Sequence, residues 1–378
     1  MSGAGSLVGG RAVVAAPMAG GPSTWQLAAA VTRAGGIGFL AAGMRPVDRL
    51  VQDVASARGA LEGTERAVLG VNLFVPEPAN TAVPGDRKAP GSPARRRRAE
   101  AVRRYRSGLL AEARRLGVEL PAPEALDPDA MDGWEAKLEA AEAGAWPLVT
   151  FTFGLPEASV FDRLHAAGSV LGVTVTSAAE ALRALDHGAD VLCVQGPQAG
   201  GHRSVHDPAA DPGTTPLLAL LAEVRAAVGT GAGQDVPLWA AGGIMDAAGV
   251  RRVLAAGATA AQCGTAFLLA DEAGTSALQR AALERSASGT GFAHPDGSAR
   301  TALTRAYSGR WARGLENRFM RGHADAPAAY PEVNVLTGPL RQAATAAGDA
   351  ESVSLWAGVG AAAVRAAPAA EIVRDLTP

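Results

Sequence analysis

The chain is short of the residues that announce the most easily read classes of protein. It holds two cysteines in 378 residues, Cys193 and Cys263, with no CxxC between them. That excludes a disulfide framework and a zinc site of the usual spacing, and both thiols are expected to be reduced and buried. No HxH or HExxH pair stands among the six histidines, so no metal is expected. Aromatic residues make up 4% of the chain, too few for a base-stacking platform. Neither sign of charge dominates: 35 Lys and Arg face 37 Asp and Glu, which leaves no electrostatic case for a nucleic-acid partner. No apolar run reaches the ~18 residues of a membrane span. The opening MSGAGSLVGGRAVV lacks the basic-then-apolar order of a secretory leader. A cytoplasmic protein with no membrane partner is the expectation.

What the chain has is glycine (46 residues) and a regular alternation of short apolar runs with amphipathic stretches. The runs predicted as strands are Arg11–Ala16, Ile37–Ala41, Ala67–Leu73, Leu148–Phe153, Val170–Val175, Val191–Gln195, Leu238–Ala241 and Thr259–Cys263. Helical patterns lie between most of them, opened by capping signals such as Ser23, Pro46 and Ser177. Eight strands with intervening helices predict a closed parallel (β/α)8 architecture, a TIM barrel. An open doubly wound sheet is the runner-up. No GxGxxG follows the first strand, however, and Gly35-Gly36-Ile37-Gly38 precedes a strand.

The alternation breaks between residues 77 and 145. A Pro-rich stretch leads into Arg95-Arg96-Arg97-Arg98 and two helical patterns. This is read as a helical insertion whose Arg run is either a solvated face or a cationic lid. The expected organisation is a barrel from 1–76 and 146–270, the insertion at 77–145, and a mostly helical or looped extension at 271–378. Its last helix, Gly360 to Asp375, closes the barrel.

Active sites of such barrels lie at the carboxyl ends of the strands. The most informative stretch there is ADVLCVQGPQAGGHRS, residues 189–204. A buried strand opens into a glycine loop that delivers His202, titratable near neutrality, and Arg203, always charged. With no GxSxG elbow and no metal spacing, His202 suits a general-base or electrostatic role. The last two strands open into Gly242-Gly243 and, after Gln262-Cys263, into Gly264-Thr265. Loops at those positions commonly cradle a phosphate on backbone N–H groups, which a Cβ would hold away. Asn72 and Gln195 end two further strands. Their carboxamides suit the mixed donor and acceptor edge of a planar heterocycle. The Pro17-Met18-Ala19-Gly20-Gly21 loop is placed to cover one face of such a ring.

Taken in order, Ala16–Gly21, Gly70-Val71-Asn72-Leu73-Phe74, Gln195-Gly196 through Gly200-Gly201-His202, Ala240–Ile244 and Gly264-Thr265-Ala266-Phe267 resemble the nitronate monooxygenases, as do Tyr307-Ser308-Gly309-Arg310 and Leu355-Trp356-Ala357-Gly358. The resemblance covers about residues 11 to 376 and is weakest over 77–145. It implies a TIM barrel with non-covalent FMN, oxidising alkyl nitronates with O2 to a carbonyl compound and nitrite, the flavin being the electron acceptor. By the same resemblance Asn72 and Gln195 meet the flavin ring, which Gly200 and Gly201 line. Gly243, Gln262, Cys263, Gly264 and Thr265 hold the phosphate end. His202 matches the family's active-site histidine, and Tyr307 and Ser308 line the substrate pocket. One departure is Gln198, where an acidic residue often stands; it alters the charge around His202. The alternatives are an FMN-dependent NAD(P)H enoyl reductase, an NAD(P)H:quinone reductase, and a non-catalytic flavin-binding barrel.

Overall fold

A computed structural model describes residue 7 and residues 9–229 and 236–378. Eight parallel strands form the centre: β1 (Val13–Ala15), β2 (Gly38–Ala41), β3 (Leu69–Phe74), β4 (Leu148–Thr152), β5 (Val170–Val175), β6 (Val191–Gln195), β8 (Leu238–Ala241) and β9 (Ala260–Cys263). Each pairs with its neighbour in chain order, and β9 returns to β1 with Val14 opposite Gln262. The ring closes between β1 and β2, where Ala15 N–H donates to Ile37 O (2.9 Å) and Ile37 N–H to Val13 O (3.0 Å). The expected TIM barrel is therefore present, with helices between its strands.

Two layers of apolar packing account for the strand sequences. Inside the barrel lie Val14, Ile37, Phe39, Leu148, Cys193 and Trp239, with the Phe39 and Trp239 rings 6.0 Å apart, edge to face. The second layer joins the outer strand faces to the helices, among them Trp25–Arg33, Val47–Ala60, Ala158–Ala166 and Ala178–Asp186. Because both faces are buried, the strands read as continuous apolar runs rather than alternating ones. Both cysteines sit in these layers, where burial pushes each thiol up to about 12. Ser177 caps its helix as expected, accepting from Glu180 N–H at 3.2 Å. Ser23 does not. Thr24 is the cap of the first helix, accepting from Leu27 N–H, while Ser23 Oγ accepts from Met18 N–H (2.8 Å) and folds the loop after β1.

The insertion forms helices Pro93–Gly108, Leu110–Leu116 and Trp134–Ala143 and shares a core with the extension. Val102, Tyr105 and Leu109 pack with Tyr307, Phe319 and Leu340 above the barrel. The Arg run is not one solvated face. Arg98 is half-buried between two acids of different segments, donating to Glu77 (2.7 Å) and Glu332 (2.6 Å), whereas Arg96 and Arg97 are exposed. The three charges are largely out of water, so removing one strands the others. Arg98→Ala is expected to destabilise the protein by about 3 kcal/mol, read as a lowered urea midpoint.

The extension departs from the sequence expectation in a way that matters for the site. It contributes an antiparallel pair, β10 (Thr301–Thr304) and β11 (Ala312–Leu315), and β11 pairs with a two-residue strand β7 (Gly201–His202). His202 thus lies opposite Ala312 in a small sheet, not on a free loop. The final helix is shorter than expected, Ala369–Leu376, because Pro368 starts it, and it packs beside Trp25–Arg33.

Candidate active site

One cavity opens at the carboxyl ends of the barrel strands, and of the candidate residues marked by the sequence all but Arg203 lie on its wall. The loop after β1 brings Pro17, Met18 and Ala19; the strand ends bring Asn72, Gln195 and Gln262-Cys263-Gly264-Thr265; the turns bring Gly200-Gly201-His202 and Gly242-Gly243; the extension brings Tyr307 and Ser308. Arg203 is not on that wall. Its guanidinium donates to the carbonyls of Pro212 (2.6 Å) and Gln195, which makes it a brace for the loop and not a cation for a ligand.

His202 is held on all sides. Its carbonyl accepts from Gln195 Nε2 (2.9 Å), and Gln195 Oε1 accepts from Ser204 N–H (2.8 Å), so both ends of that carboxamide shape the loop. Its ring stands between Phe153 (centroids 5.2 Å, edge to face) and Trp356 (5.5 Å). Nε2 lies 2.8 Å from Ser308 Oγ. Nδ1 has no hydrogen-bond partner among the described residues. Burial, with the charges of Arg310 and Arg341 adding to it, pushes the imidazole down to about 3. His202 is therefore neutral at physiological pH.

Ser308 bears on the tautomer. Arg310 N–H donates to Ser308 Oγ (3.3 Å), and the serine hydrogen has two acceptors in reach, His202 Nε2 at 2.8 Å and Arg310 O at 3.3 Å. The shorter contact favours Nε2 as the acceptor, which leaves the ring proton on Nδ1. Asn72 is oriented in the same manner. Its Nδ2 donates to Thr150 Oγ1 and Thr152 Oγ1, each 2.9 Å, and Oδ1 accepts from no described residue.

The glycine turns build a cradle. β8 and β9 place Ala241 opposite Gln262, so Gly242-Gly243 and Gly264-Thr265 emerge side by side. The N–H groups of Gly243 and Thr265, both on the cavity wall, donate to no described residue. Gly243 has a φ of +72°, which an L side chain adopts only under strain. Thr265 Oγ1 accepts from Gly358 N–H (2.9 Å) and keeps its own hydrogen to donate. Gly200 is required for a different reason: a Cβ there would meet Gly358 N at 2.4 Å and Ala357 C at 2.5 Å. The loop carrying His202 is thus pressed backbone to backbone against the extension.

Tyr307 shows its ring to the cavity while its hydroxyl turns away, donating to Val353 O (2.8 Å) within the extension's core. Among the wall residues that the sequence reading did not single out are Phe153, Asn334 and Arg341, and Trp356 entered it only within the motif Leu355-Trp356-Ala357-Gly358. Phe153 had a signal, since it ends a predicted strand as Asn72 and Gln195 do. It is also strained, with φ +79°, and is held there by Arg310 Nη2 and Asn80 Nδ2 on its carbonyl and Ser204 Oγ on its N–H. Asn334 and Arg341 lie far along the chain, in segments with no local mark of function.

Comparison with known proteins was consistent along the whole chain. A sequence model of one family, described as nitronate monooxygenase, matches residues 6–378. A nitronate monooxygenase of Pseudomonas aeruginosa is 36% identical over 96% of this chain and 94% of its own length. One from Paraburkholderia phytofirmans is 34% identical over 97% and 91%. A solved structure of nitroalkane oxidase from Streptomyces ansochromogenes is 41% identical, superposes with a TM-score of 0.81, and covers 99% of this chain and 96% of that one. FabK from Thermotoga maritima, at 22% identity and a TM-score of 0.67 over 98% and 93%, shares the fold.

Proposed function

Because the chain belongs to the nitronate monooxygenase family and is an oxidoreductase acting on nitronates, we propose that its cavity binds FMN non-covalently and that His202 meets the substrate there. The observation that carries this is the cradle: the unpaired backbone N–H groups of Gly243 and Thr265 and the Thr265 hydroxyl, beside two glycine turns on the cavity wall. Such a set fits a phosphate monoester. Asn72 Oδ1, fixed by its two threonines, offers an acceptor to a ring N–H. The loop from Pro17 to Ala19 supplies backbone and the Met18 thioether against a ring face.

FMN, when bound, supplies the group that accepts electrons from the substrate and passes them to O2. The chain's own part is to bind, orient and shield. A nitronate is already ionised at carbon, so little proton transfer is asked of the protein. His202 presents Nδ1–H to a nitronate oxygen, and the Phe153 and Trp356 rings fix the imidazole plane and keep water from its edges. Ser308 holds the tautomer that makes Nδ1 the donor. Ser308→Ala is expected to lower kcat/KM for a nitronate about tenfold with FMN content unchanged, the worth of one hydrogen bond at a charged site.

The test of the whole reading is spectroscopic. The purified or FMN-reconstituted protein is mixed anaerobically with ethyl nitronate, and separately with NADPH and NADH. Loss of the flavin absorbance with the nitronate alone, then nitrite release on admitting air, is expected. Rapid reduction by a nicotinamide with no response to nitronate would move the assignment to a reductase. A protein that takes up no FMN would end it.

A further inference from the structure

Arg341 is the one Lys or Arg on the cavity wall among the described residues, and no Asp or Glu stands on that wall. It is largely buried, and burial lowers its pKa from the usual arginine value. No carboxylate pairs with it among the described residues. Among the described residues its guanidinium hydrogen-bonds only through Nη2 to Asn334, to the carbonyl at 2.8 Å and to Oδ1 at 2.9 Å. Nε is buried with no partner, and Nη1 makes no hydrogen bond with any described residue. A buried cation without a counter-charge is costly, and its usual resolution is an anion. The other two arginines near the site are engaged differently. Arg310 donates to Val205 O (3.1 Å) and Phe153 O (2.9 Å), Arg203 to Pro212 and Gln195, and neither reaches the wall.

Arg341 lies within electrostatic reach of His202, whose imidazole it helps to keep neutral. It sits on the extension helix Gly338–Ala346, whereas the phosphate cradle rises from the ends of β8 and β9. Asn334, on the preceding helix Glu332–Leu336, fixes the guanidinium through both of its oxygens while its Nδ2 rests on Met44 Sδ (3.5 Å). We infer that Arg341 is the anion-holding residue of the substrate subsite, and that it makes the site select ionised nitronates over neutral nitroalkanes. The inference rests on the nitronate reading above and deepens it. A nitronate spreads its charge over two oxygens of a planar group, much as a carboxylate does, and a guanidinium is the side chain best matched to that shape. His202 adds a neutral donor to the same group, and the two together leave no uncompensated charge in the closed site.

The test uses the FMN-loaded protein and two variants, Arg341→Gln and Arg341→Lys. Steady-state kinetics are measured with preformed ethyl nitronate and with neutral nitroethane. Nitrate, a planar anion that does not react, is titrated separately while the flavin absorbance is followed. The expected result for Arg341→Gln is a KM for the nitronate raised about 10- to 100-fold, with kcat within about threefold. The nitrate dissociation constant rises in parallel, the preference for ethyl nitronate over nitroethane falls, and Arg341→Lys recovers most of these losses. FMN content stays equal in all three proteins. Unchanged KM and nitrate affinity in Arg341→Gln would overturn the inference. So would loss of FMN with retained nitrate binding, since that would make Arg341 a cofactor residue. Failure of the parent reading looks different: wild-type protein would bind FMN and turn over no nitronate, while nitrate binding would still report on Arg341.

Discussion

His202→Ala is expected to lower kcat/KM for a nitronate by about 10²- to 10³-fold while the protein keeps its FMN, the effect of removing one preorganised donor from a dry site. His202→Asn is expected to recover about tenfold of that loss, because its carboxamide N–H replaces a hydrogen-bond donor at the Nδ1 position. The pair separates two chemistries. If the imidazole acted as a base, the asparagine would be as poor as the alanine. The pH dependence follows from the same burial. With the imidazole pushed down to about 3, kcat/KM should show no inflection at the ordinary histidine value of 6.5. The sign for stability is also set. The unfolded chain takes up a proton near 6.5 and the folded one only near 3, so stability attributable to His202 is complete above about pH 6.5 and is lost as pH falls toward 3. A titration of the cofactor-free protein that located the imidazole near 6.5 would refute this account of the site.

Gly243→Val is expected to give a protein purified without flavin, with its FMN dissociation constant raised more than about 100-fold. Two effects combine. A β-branched residue at φ +72° is strained, by roughly 1–2 kcal/mol. A Cβ there would also stand 3.2 Å from Gln198 Cβ and 3.3 Å from Val359 Cγ2, closer than ordinary contact, so a branched side chain must shift the turn that carries the Gly243 N–H. Far-ultraviolet circular dichroism should show the barrel intact, because Gly243 lies past the end of β8. Stoichiometric FMN bound at normal affinity in this variant would place the phosphate somewhere other than the glycine turns.

The sequence by itself determined the barrel and its rim. Strands buried on both faces must be nearly all apolar, and the period of such runs, separated by capped amphipathic stretches, is readable locally. The glycine turns are equally local, since φ values and backbone approaches of this kind are open to few other residues. Hence the pattern alone assigns Asn72, Gln195, Gly242-Gly243 and Gly264-Thr265 to the carboxyl ends of the strands, and all six line one cavity. What only the tertiary structure decided is the electrostatics of that wall. Whether His202 is charged depends on Phe153 and Trp356 closing over it and on Arg310 and Arg341 standing near it, residues up to 154 positions away along the chain. That Ser308 sets its tautomer depends on β11 pairing with β7, a two-residue strand too short to leave a pattern. Arg203 stands beside His202 in sequence but turns to loop carbonyls, while Arg341 reaches the cavity from a helix of the extension. Charge states are sums over neighbours in space, and neighbours in space are what a linear pattern does not record.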